Sequence, residues 1–533
     1  MVNGRFRDEF IANFRLFGEY SRMAWQHPYI LRLTFSAGIG ALLVGYFTGV
    51  ISIACFYAHD DFQSVLHESI VSMAIVGGIF GAAVGGWMND SLGRKSSLLI
   101  ADVLIFVGAT LMAISSWPSS MVLGTVLVGF GVGIASMTAP IYISEASPVR
   151  IRGVLVSTNG LLIAIGQFLS YGINLGFTKT PRTWPLMLGV VGFPAVVQFI
   201  LLLTVPESPN WLYIKRENAL KGSDSILSKI RSAWSTPIVR RGLVAGIVLQ
   251  VVQQLVGINT VMYYIPNILE LAGNKTLLSA SLISYSYDII SSWIMYFASV
   301  DKYGRRKPVL YSMCGIVACF FGLTVMFKLA ADNSPTVSRF EAIFNFGNNT
   351  CSTYKTALDA ASWNCMTCLQ ASSGCGFCAI EGDMLKPGAC LTADPSGEGQ
   401  ASCLSEGGKW FMRACPHERY GSWALTILAL YIRLYSIALG TVPIIVNSDI
   451  YPLKHRGICG GMAAVANWLS YLILISFVSF TKALGSAYTF LLLWLVSCLA
   501  LAFIDLFVPE TKGLPLDPYV DGWLRKLAGS LTS

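Results

Sequence analysis

Gln250-Val251-Val252-Gln253-Gln254-Leu255-Val256-Gly257-Ile258-Asn259-Thr260-Val261-Met262-Tyr263-Tyr264 decides how this chain is read. It lies in an apolar segment long enough to cross a bilayer, and its glutamines fall at i, i+3 and i+4. Gly257, Thr260 and Tyr264 extend that face, so a continuous helix would present amides and hydroxyls on one side and hydrocarbon on the other. Uncharged amides donate and accept together, which suits a ligand carrying many hydroxyls. Glutamine also hydrogen-bonds neighbouring helices inside membranes, and the stripe alone leaves both readings open.

The surrounding chain is apolar throughout. Its 533 residues are 54% hydrophobic and only 12% charged, with a mean hydropathy of +0.60; soluble domains average about 25% charged. This composition belongs to a polytopic membrane protein with the bilayer as its partner. The net charge of +8 does not mark nucleic-acid binding, because the basic residues sit in short clusters between apolar runs. Twelve spans are expected, near 33–56, 69–88, 97–115, 121–143, 154–177, 186–205, 242–271, 277–299, 308–330, 422–446, 458–480 and 487–508. One set of connecting segments holds 24 of the 37 Lys and Arg, whereas the short loops on the other face hold Lys179, Arg182, Lys275 and Lys482. The positive-inside rule then makes both termini cytoplasmic. Sequons at Asn274 and Asn348 fall on the outer face and agree. Residues 1–28 have no apolar run, so the first span serves as an uncleaved targeting signal. We expect an integral protein of the plasma membrane, with the vacuolar membrane as the alternative.

Internal repetition sets the organisation. Asp90-Ser91-Leu92-Gly93-Arg94-Lys95 recurs as Asp301-Lys302-Tyr303-Gly304-Arg305-Arg306, an offset of 211. Glu145-x-x-Pro148-x-x-x-Arg152-Gly153 recurs as Asp449-x-x-Pro452-x-x-x-Arg456-Gly457 at 304, and Pro206-Glu207-Ser208 as Pro509-Glu510-Thr511 at 303. The jump places about 93 extra residues between spans nine and ten, where 331–421 are polar. The expected fold is all-α, twelve transmembrane helices in two pseudo-symmetric six-helix bundles, with a small cysteine-rich extracellular domain between spans nine and ten. The segments are a cytoplasmic N-terminus (1–30), the first bundle (31–205), a cytoplasmic linker (206–241), spans seven to nine (242–330), the outer domain (331–421), spans ten to twelve (422–508) and a tail (509–533). Parallel halves of this kind place a substrate site between them, near the midplane.

The outer domain holds Cys351, Cys365, Cys368, Cys375, Cys378, Cys390, Cys403 and Cys415. Two Cys-x-x-Cys pairs could bind zinc, but an oxidising compartment favours disulfides, and eight cysteines allow 105 pairings. The run from Trp363 to Cys390 resembles the cysteine-rich modules of plexins, semaphorins and integrins. The repeated loops carry acids and bases that can pair across the bundles and part when these rock, which assigns gating to Asp90, Arg94, Glu145, Arg152, Glu207, Asp301, Arg305, Arg306, Asp449, Arg456 and Glu510.

These motifs resemble the sugar-porter branch of the major facilitator superfamily, and within it the plant inositol transporters. The carrying residues are Gly85-Gly86-Trp87-Met88-Asn89-Asp90, Tyr142-Ile143-Ser144-Glu145-Ala146-Ser147-Pro148, Pro206-Glu207-Ser208-Pro209, Gln253-Gln254-Leu255-Val256-Gly257-Ile258-Asn259-Thr260, Val446-Asn447-Ser448-Asp449-Ile450-Tyr451-Pro452 and Pro509-Glu510-Thr511-Lys512-Gly513. The resemblance implies a polyol cavity formed by Gln167, Gln253, Gln254, Asn259, Tyr264, Asn467 and Trp468, with Gln250 beside them. It implies transport of inositol or a related polyol by alternating access, with proton symport as the family mode and no cofactor.

The departures are specific. The family's Gly-Tyr-Asp-Thr-Gly is Gly45-Tyr46-Phe47-Thr48-Gly49 here, and its span-four arginine is Thr125. In proton-coupled relatives those two residues pair and the aspartate takes the proton, so their joint loss favours facilitated diffusion. Asn210 and Pro185-Leu186 replace family arginines and a tryptophan, Ile444 replaces a stacking tryptophan, and the span-ten glycine–proline hinge has become Ser436-Ile437-Ala438-Leu439-Gly440. Arg433 and Asp288 fall mid-membrane and could pair with each other; snorkelling or a water-lined cavity would serve them as well. Asp102 and Asp505 lie nearer span ends and receive no role. A non-transporting sensor or scaffold is the competing class, against which a tail of roughly 25 residues speaks. The five histidines are dispersed and make no catalytic or metal constellation.

Overall fold

The structure is a computed structural model that describes residues 28–57, 64–114, 117–148, 151–177, 184–221, 226–258, 304–338, 349–357, 363–371, 374–380, 386–393, 397–411, 415, 418–481 and 486–510. Among these residues eleven helices are long and apolar enough to cross a membrane. The expected eighth span, with Asn259, Tyr264, Asn274, Asp288 and Asp301, lies outside the described residues, as does Asn348.

Spans one to five are Pro28–Tyr57, Ser64–Ser91, Arg94–Ile114, Pro118–Ala146 and Arg152–Phe177. Span six is split into Trp184–Gly189 and Gly192–Leu203. Two linker helices follow, Pro209–Lys221 and Ile226–Ser235, and then span seven, Pro237–Leu255. Span nine is Arg306–Asp332, span eleven Arg456–Thr481 and span twelve Ser486–Phe507. Proline opens spans four and seven, where its missing N–H costs nothing.

Span two packs on span four within its half and on span eleven across the halves. That crossing is close because glycines meet: a Cβ on Gly86 would lie 3.0 Å from the Gly457 carbonyl oxygen, and one on Gly461 would lie 2.9 Å from the Gly86 Cα. The lower half of span ten packs on spans four and five, so Ile444 and Ile445 join an apolar core built mainly from the N-terminal half. The two halves are therefore closed against each other on the face bearing the repeated motif loops.

Two sequence expectations change here. The glutamine stretch does not run as one helix. Span seven's helix ends at Leu255, and Gly257 takes a left-handed φ of +80°, which glycine adopts without a side-chain clash. Span ten keeps its interruption without the glycine–proline pair. Glu418–Ile437 and Val442–Asp449 are separate helices, joined through turns at Ala438–Thr441.

The insertion between spans nine and ten folds on a three-stranded antiparallel sheet ordered β2-β1-β3, with β1 Cys375–Ile380, β2 Ala389–Thr392 and β3 Gly408–Phe411. Phe377 of β1 faces Cys390 and Phe411 in register and is fully buried. The bridges are Cys351–Cys375, Cys365–Cys415, Cys368–Cys390 and Cys378–Cys403. Each Cys-x-x-Cys therefore divides between two bridges, and no sulfur of the eight is left for zinc. A core this small needs such staples.

Replacing Cys378 and Cys403 together by serine opens a bridge spanning 25 residues, worth about 3 kcal/mol of unfolded-chain entropy. We expect limited proteolysis to cut within 331–421 in that variant while the bundle's melting temperature in detergent stays unchanged.

Candidate functional site

Charges buried in protein must be paired, and the motif loops obey this as two copies of one device. In the first copy the Glu207 carboxylate accepts from the backbone N–H of Arg94 (2.9 Å) and of Lys95 (3.0 Å), capping the start of span three. Gly93 makes this approach feasible: its φ is +99°, and a Cβ there would stand 2.5 Å from the Glu207 carboxylate. In the second copy Glu510 accepts from Arg305 N–H (2.8 Å) and Arg306 N–H (3.1 Å), beneath Gly304 at φ +84°. Arg94 pairs with Glu145 at 2.8 Å, and Arg305 pairs with Asp449 in the same way.

The copies differ in what joins them. Glu145 receives Arg94 from its own half and stands 3.7 Å from the Arg456 guanidinium of the other half, with all three side chains almost fully buried. Ser208 also donates its hydroxyl to Glu145. The pseudo-equivalent Arg152 instead donates to the Ser144 and Ser147 carbonyls of its own half. Asp90 meets Lys229 of the second linker helix at 3.8 Å, and the Trp211 indole of the first donates to the Asp90 carbonyl. Lys229, Ser208 and Trp211 were not legible as partners, because nothing in their spacing ties the linker to the span-two loop. Asp505 pairs with Arg306 at 2.7 Å, a role not anticipated from its place near a span end. Arg433 lies on the exposed face of span ten.

Deeper in the bundle the amides come together. Asn467 of span eleven donates to Gln250 Oε1 (2.7 Å) and Gln253 Oε1 (3.1 Å), and its own Oδ1 accepts from Gln254 Nε2 (3.2 Å). Four predicted residues thus form one uncharged network between spans seven and eleven. Gln253 has a second task that sequence spacing did not reveal. Its Nε2 donates to the Leu439 and Gly440 carbonyls (2.9 and 3.3 Å), which the break in span ten frees. In return Tyr435 and Tyr431 donate to the Gln253 and Val256 carbonyls at the end of span seven (3.4 and 3.1 Å). An unsatisfied carbonyl inside a membrane protein costs about 1–3 kcal/mol, so the two interrupted helices hold each other's loose ends.

Gln167 and Trp468 stand apart from this network. Gln167 faces Thr48 on the N-terminal half at 3.5 Å. Trp468 turns from its neighbour Asn467 toward the other half, where its indole donates to Ser136 (3.4 Å) and its ring covers Gly78. Phe47 is buried among apolar side chains, and Thr125, also buried, donates to the Met121 carbonyl at 2.8 Å. Among the described residues no His/Cys/Asp/Glu group could hold a metal. Asp102, set aside as lying near a span end, is buried at 2% exposure, because its helix face turns inward on spans four and six.

Comparison with known proteins agrees with this architecture. The family model described as sugar (and other) transporter matches residues 33–353 and 400–523. Inositol transporter 4 of Arabidopsis thaliana is 50% identical, covering 94% of this chain and 93% of that protein. Probable inositol transporter 2 of Arabidopsis thaliana is 49% identical, covering 94% and 92%. The proton myo-inositol cotransporter of Homo sapiens is 31% identical, covering 91% and 80%. The structure of the major facilitator superfamily proton:xylose symporter XylE bound to 6-bromo-6-deoxy-D-glucose superposes with a TM-score of 0.66 at 24% identity, over 93% of this chain and 99% of the other. This chain is a multi-pass membrane protein belonging to the sugar transporter family of the major facilitator superfamily.

Proposed function

We propose that this chain moves inositol, or a polyol of similar shape, across a membrane by alternating access. The observation that carries the reading is the uncharged network of Gln250, Gln253, Gln254 and Asn467, formed beside the boundary between halves that are closed on one face only by contacts able to part. Amides that bond each other can exchange those bonds for a ring of hydroxyls at little net cost. Gln167 supplies a donor from the other half, and Trp468 an apolar face for the substrate's C–H groups. Asn259 and Tyr264 complete the site in this proposal. The names of the relatives support inositol as the substrate class.

The motif-loop face is the cytoplasmic one in this reading, with both termini on it and the plasma membrane as the home of the protein. The stapled domain then stands outside, with Asn274 and Asn348 as glycan acceptors. The Glu145–Arg456 contact, the Asp90–Lys229 pair and the glycine crossing of spans two and eleven form the inner gate. Phe47 and Thr125 leave no ionisable group where proton-coupled relatives carry their pair, which favours facilitated diffusion over symport through that place.

Initial rates of labelled myo-inositol uptake into proteoliposomes test the site. Asn467→Ala removes the hub of the network, and at about 1 kcal/mol per hydrogen bond it should raise KM roughly 10- to 30-fold with turnover nearly kept. Gln253→Ala should also lower kcat, because it strips the cover from the span-ten break. Equal kinetics for the two variants would refute the double role of Gln253.

Glu145→Gln leaves two buried guanidiniums without their counter-charge, a loss of about 3–5 kcal/mol. With spin labels on Leu92 and Lys454, the short distance of the closed gate should give way to a longer, broader distribution in this variant. An unchanged distribution would mean that the glycine crossing holds the gate without the charges.

A further inference from the structure

Two polar side chains in the core of the N-terminal half take no part in the gate or the amide network. Asp102 of span three is 2% exposed, and neither carboxylate oxygen has a hydrogen-bond partner. Gln198 of span six is fully buried, and neither its Oε1 nor its Nε2 has a partner.

They belong to one junction. Spans three and six run antiparallel, and a Cβ on Gly189 would meet the Ala113 Cβ at 2.6 Å, while one on Gly192 would meet the Ala109 Cβ at 3.2 Å. Continuing that register brings Asp102 level with residues 199–200, within one helical turn of Gln198. Asp102 shares its buried stripe with Ile105 and Ala109, and Gln198 shares its own with Gly192 and Ala195. A Cβ on Gly40 of span one would stand 3.1 Å from Gln198 Nε2 and 3.5 Å from Ala135 of span four. Both side chains therefore point into the meeting of spans one, three, four and six.

Among the described side chains no cation answers the carboxylate. Span six has no ionisable side chain. Span four offers Glu145 and Tyr142, which are held by Arg94 and by the Pro206 carbonyl. Among their described side chains, span two offers Asp90, paired with Lys229, and span one offers Arg32, which is exposed, together with Tyr29 and Tyr46. On its own helix Arg94 binds Glu145 and Lys95 reaches the Leu203 carbonyl, two turns toward the motif face. An ionised carboxylate is at its worst in such a place, whereas a carboxylic acid both donates and accepts, as a carboxamide does.

We propose that Asp102 is the proton-binding group of this chain and that Gln198 is its hydrogen-bond partner. One proton from solvent adds to a carboxylate oxygen, and no other bond breaks. A side-chain rotation then lets the acid O–H donate to Gln198 Oε1 while Nε2 donates to the acid carbonyl. Gln198 acts as a positioning residue. The two helices that carry this pair end at the gate, through the Glu207 cap on Arg94 and Lys95 and the Lys95–Leu203 bond. The closed arrangement of spans three and six keeps Asp102 neutral, and opening the gate lets water reach it and the proton leave. The chain thus keeps a proton site although the span-one acid is gone. The coupling to transport rests on the alternating-access reading; the protonation itself does not.

Infrared difference spectra of the purified protein between pH 5 and 9 read the protonation directly. The wild type should show the C=O band of a buried carboxylic acid, Asp102→Asn should lack it, and Gln198→Leu should shift it upward as the hydrogen bond is lost. A wild-type spectrum without the band, or a band that survives in Asp102→Asn, overturns the proposal. Inositol exchange in proteoliposomes, with pH raised equally on both sides, then tests the coupling. Wild-type exchange should fall several-fold toward alkaline pH while that of Asp102→Asn stays flat; a flat wild type, or a variant with the wild-type profile, overturns the coupling. A wild type that exchanges no polyol overturns the transport reading and the coupling with it, and leaves the spectral result standing.

Discussion

A single carboxylate, Glu145, holds a guanidinium from each half of the molecule, Arg94 at 2.8 Å and Arg456 at 3.7 Å, in a setting from which water is excluded. Such a contact adds little net stability, because desolvating three charges consumes most of the attraction. Its worth is conditional. Arg94 stays with Glu145 in its own half, whereas Arg456 meets Glu145 only while the halves touch and is hydrated only when they part, so intermediate positions are penalised. That is a requirement for a two-state gate rather than a flexible seam. The Glu207 and Glu510 caps keep the starts of spans three and nine rigid, so the guanidiniums of Arg94 and Arg305 are presented from fixed platforms.

The amide network follows a different economy. Nothing in it is charged, so it can open without stranding a charge in low dielectric. Its bonds to itself set a low threshold for exchange with hydroxyls. Gln253 has two tasks here, since the amide proposed for substrate is the one that covers the Leu439 and Gly440 carbonyls. A ligand that draws Gln253 away uncovers the break in span ten, and the lower half of that span lies on the N-terminal bundle. Occupancy and the fit between the halves are thereby tied through one side chain.

Much of this was legible in the residues. The repeated Asp-x-x-Gly-Arg and Glu/Asp…Arg-Gly motifs, with their offsets, pointed to the two halves, the insertion and the acids and bases that pair at the motif loops, because pairing of buried charge leaves few choices. Glutamine spacing found the network. Partner choice across distant segments was not legible: Lys229 with Asp90, Arg456 rather than Arg152 across the boundary, and the four disulfide pairings depend on packing that no local pattern encodes. Helix continuity was misread at Gly257, since a 3.6-residue period passes over a glycine that in fact turns left-handed. The burial of Asp102 was not legible, because distance from a span end says little about depth, whereas burial is set by which face a helix turns to its neighbours.

Asp102 also bears on why the losses at Phe47 and Thr125 are tolerable. An acid–base pair in spans one and four would have to be absent as a whole, since either partner alone strands a charge, and Phe47 is packed here among apolar side chains. Among the described side chains Asp102 has no base beside it, and it needs none as long as it holds a proton. In an ionised pair the carboxylate holds no proton and takes one up only when the pair is driven apart; a lone acid against an amide is stable only when protonated and releases its proton once water arrives. The second arrangement makes the proton's departure a consequence of gate opening, with no counter-charge to move. It ties protonation to the same helices, spans three and six, that carry Arg94 and Glu207 to the boundary between the halves.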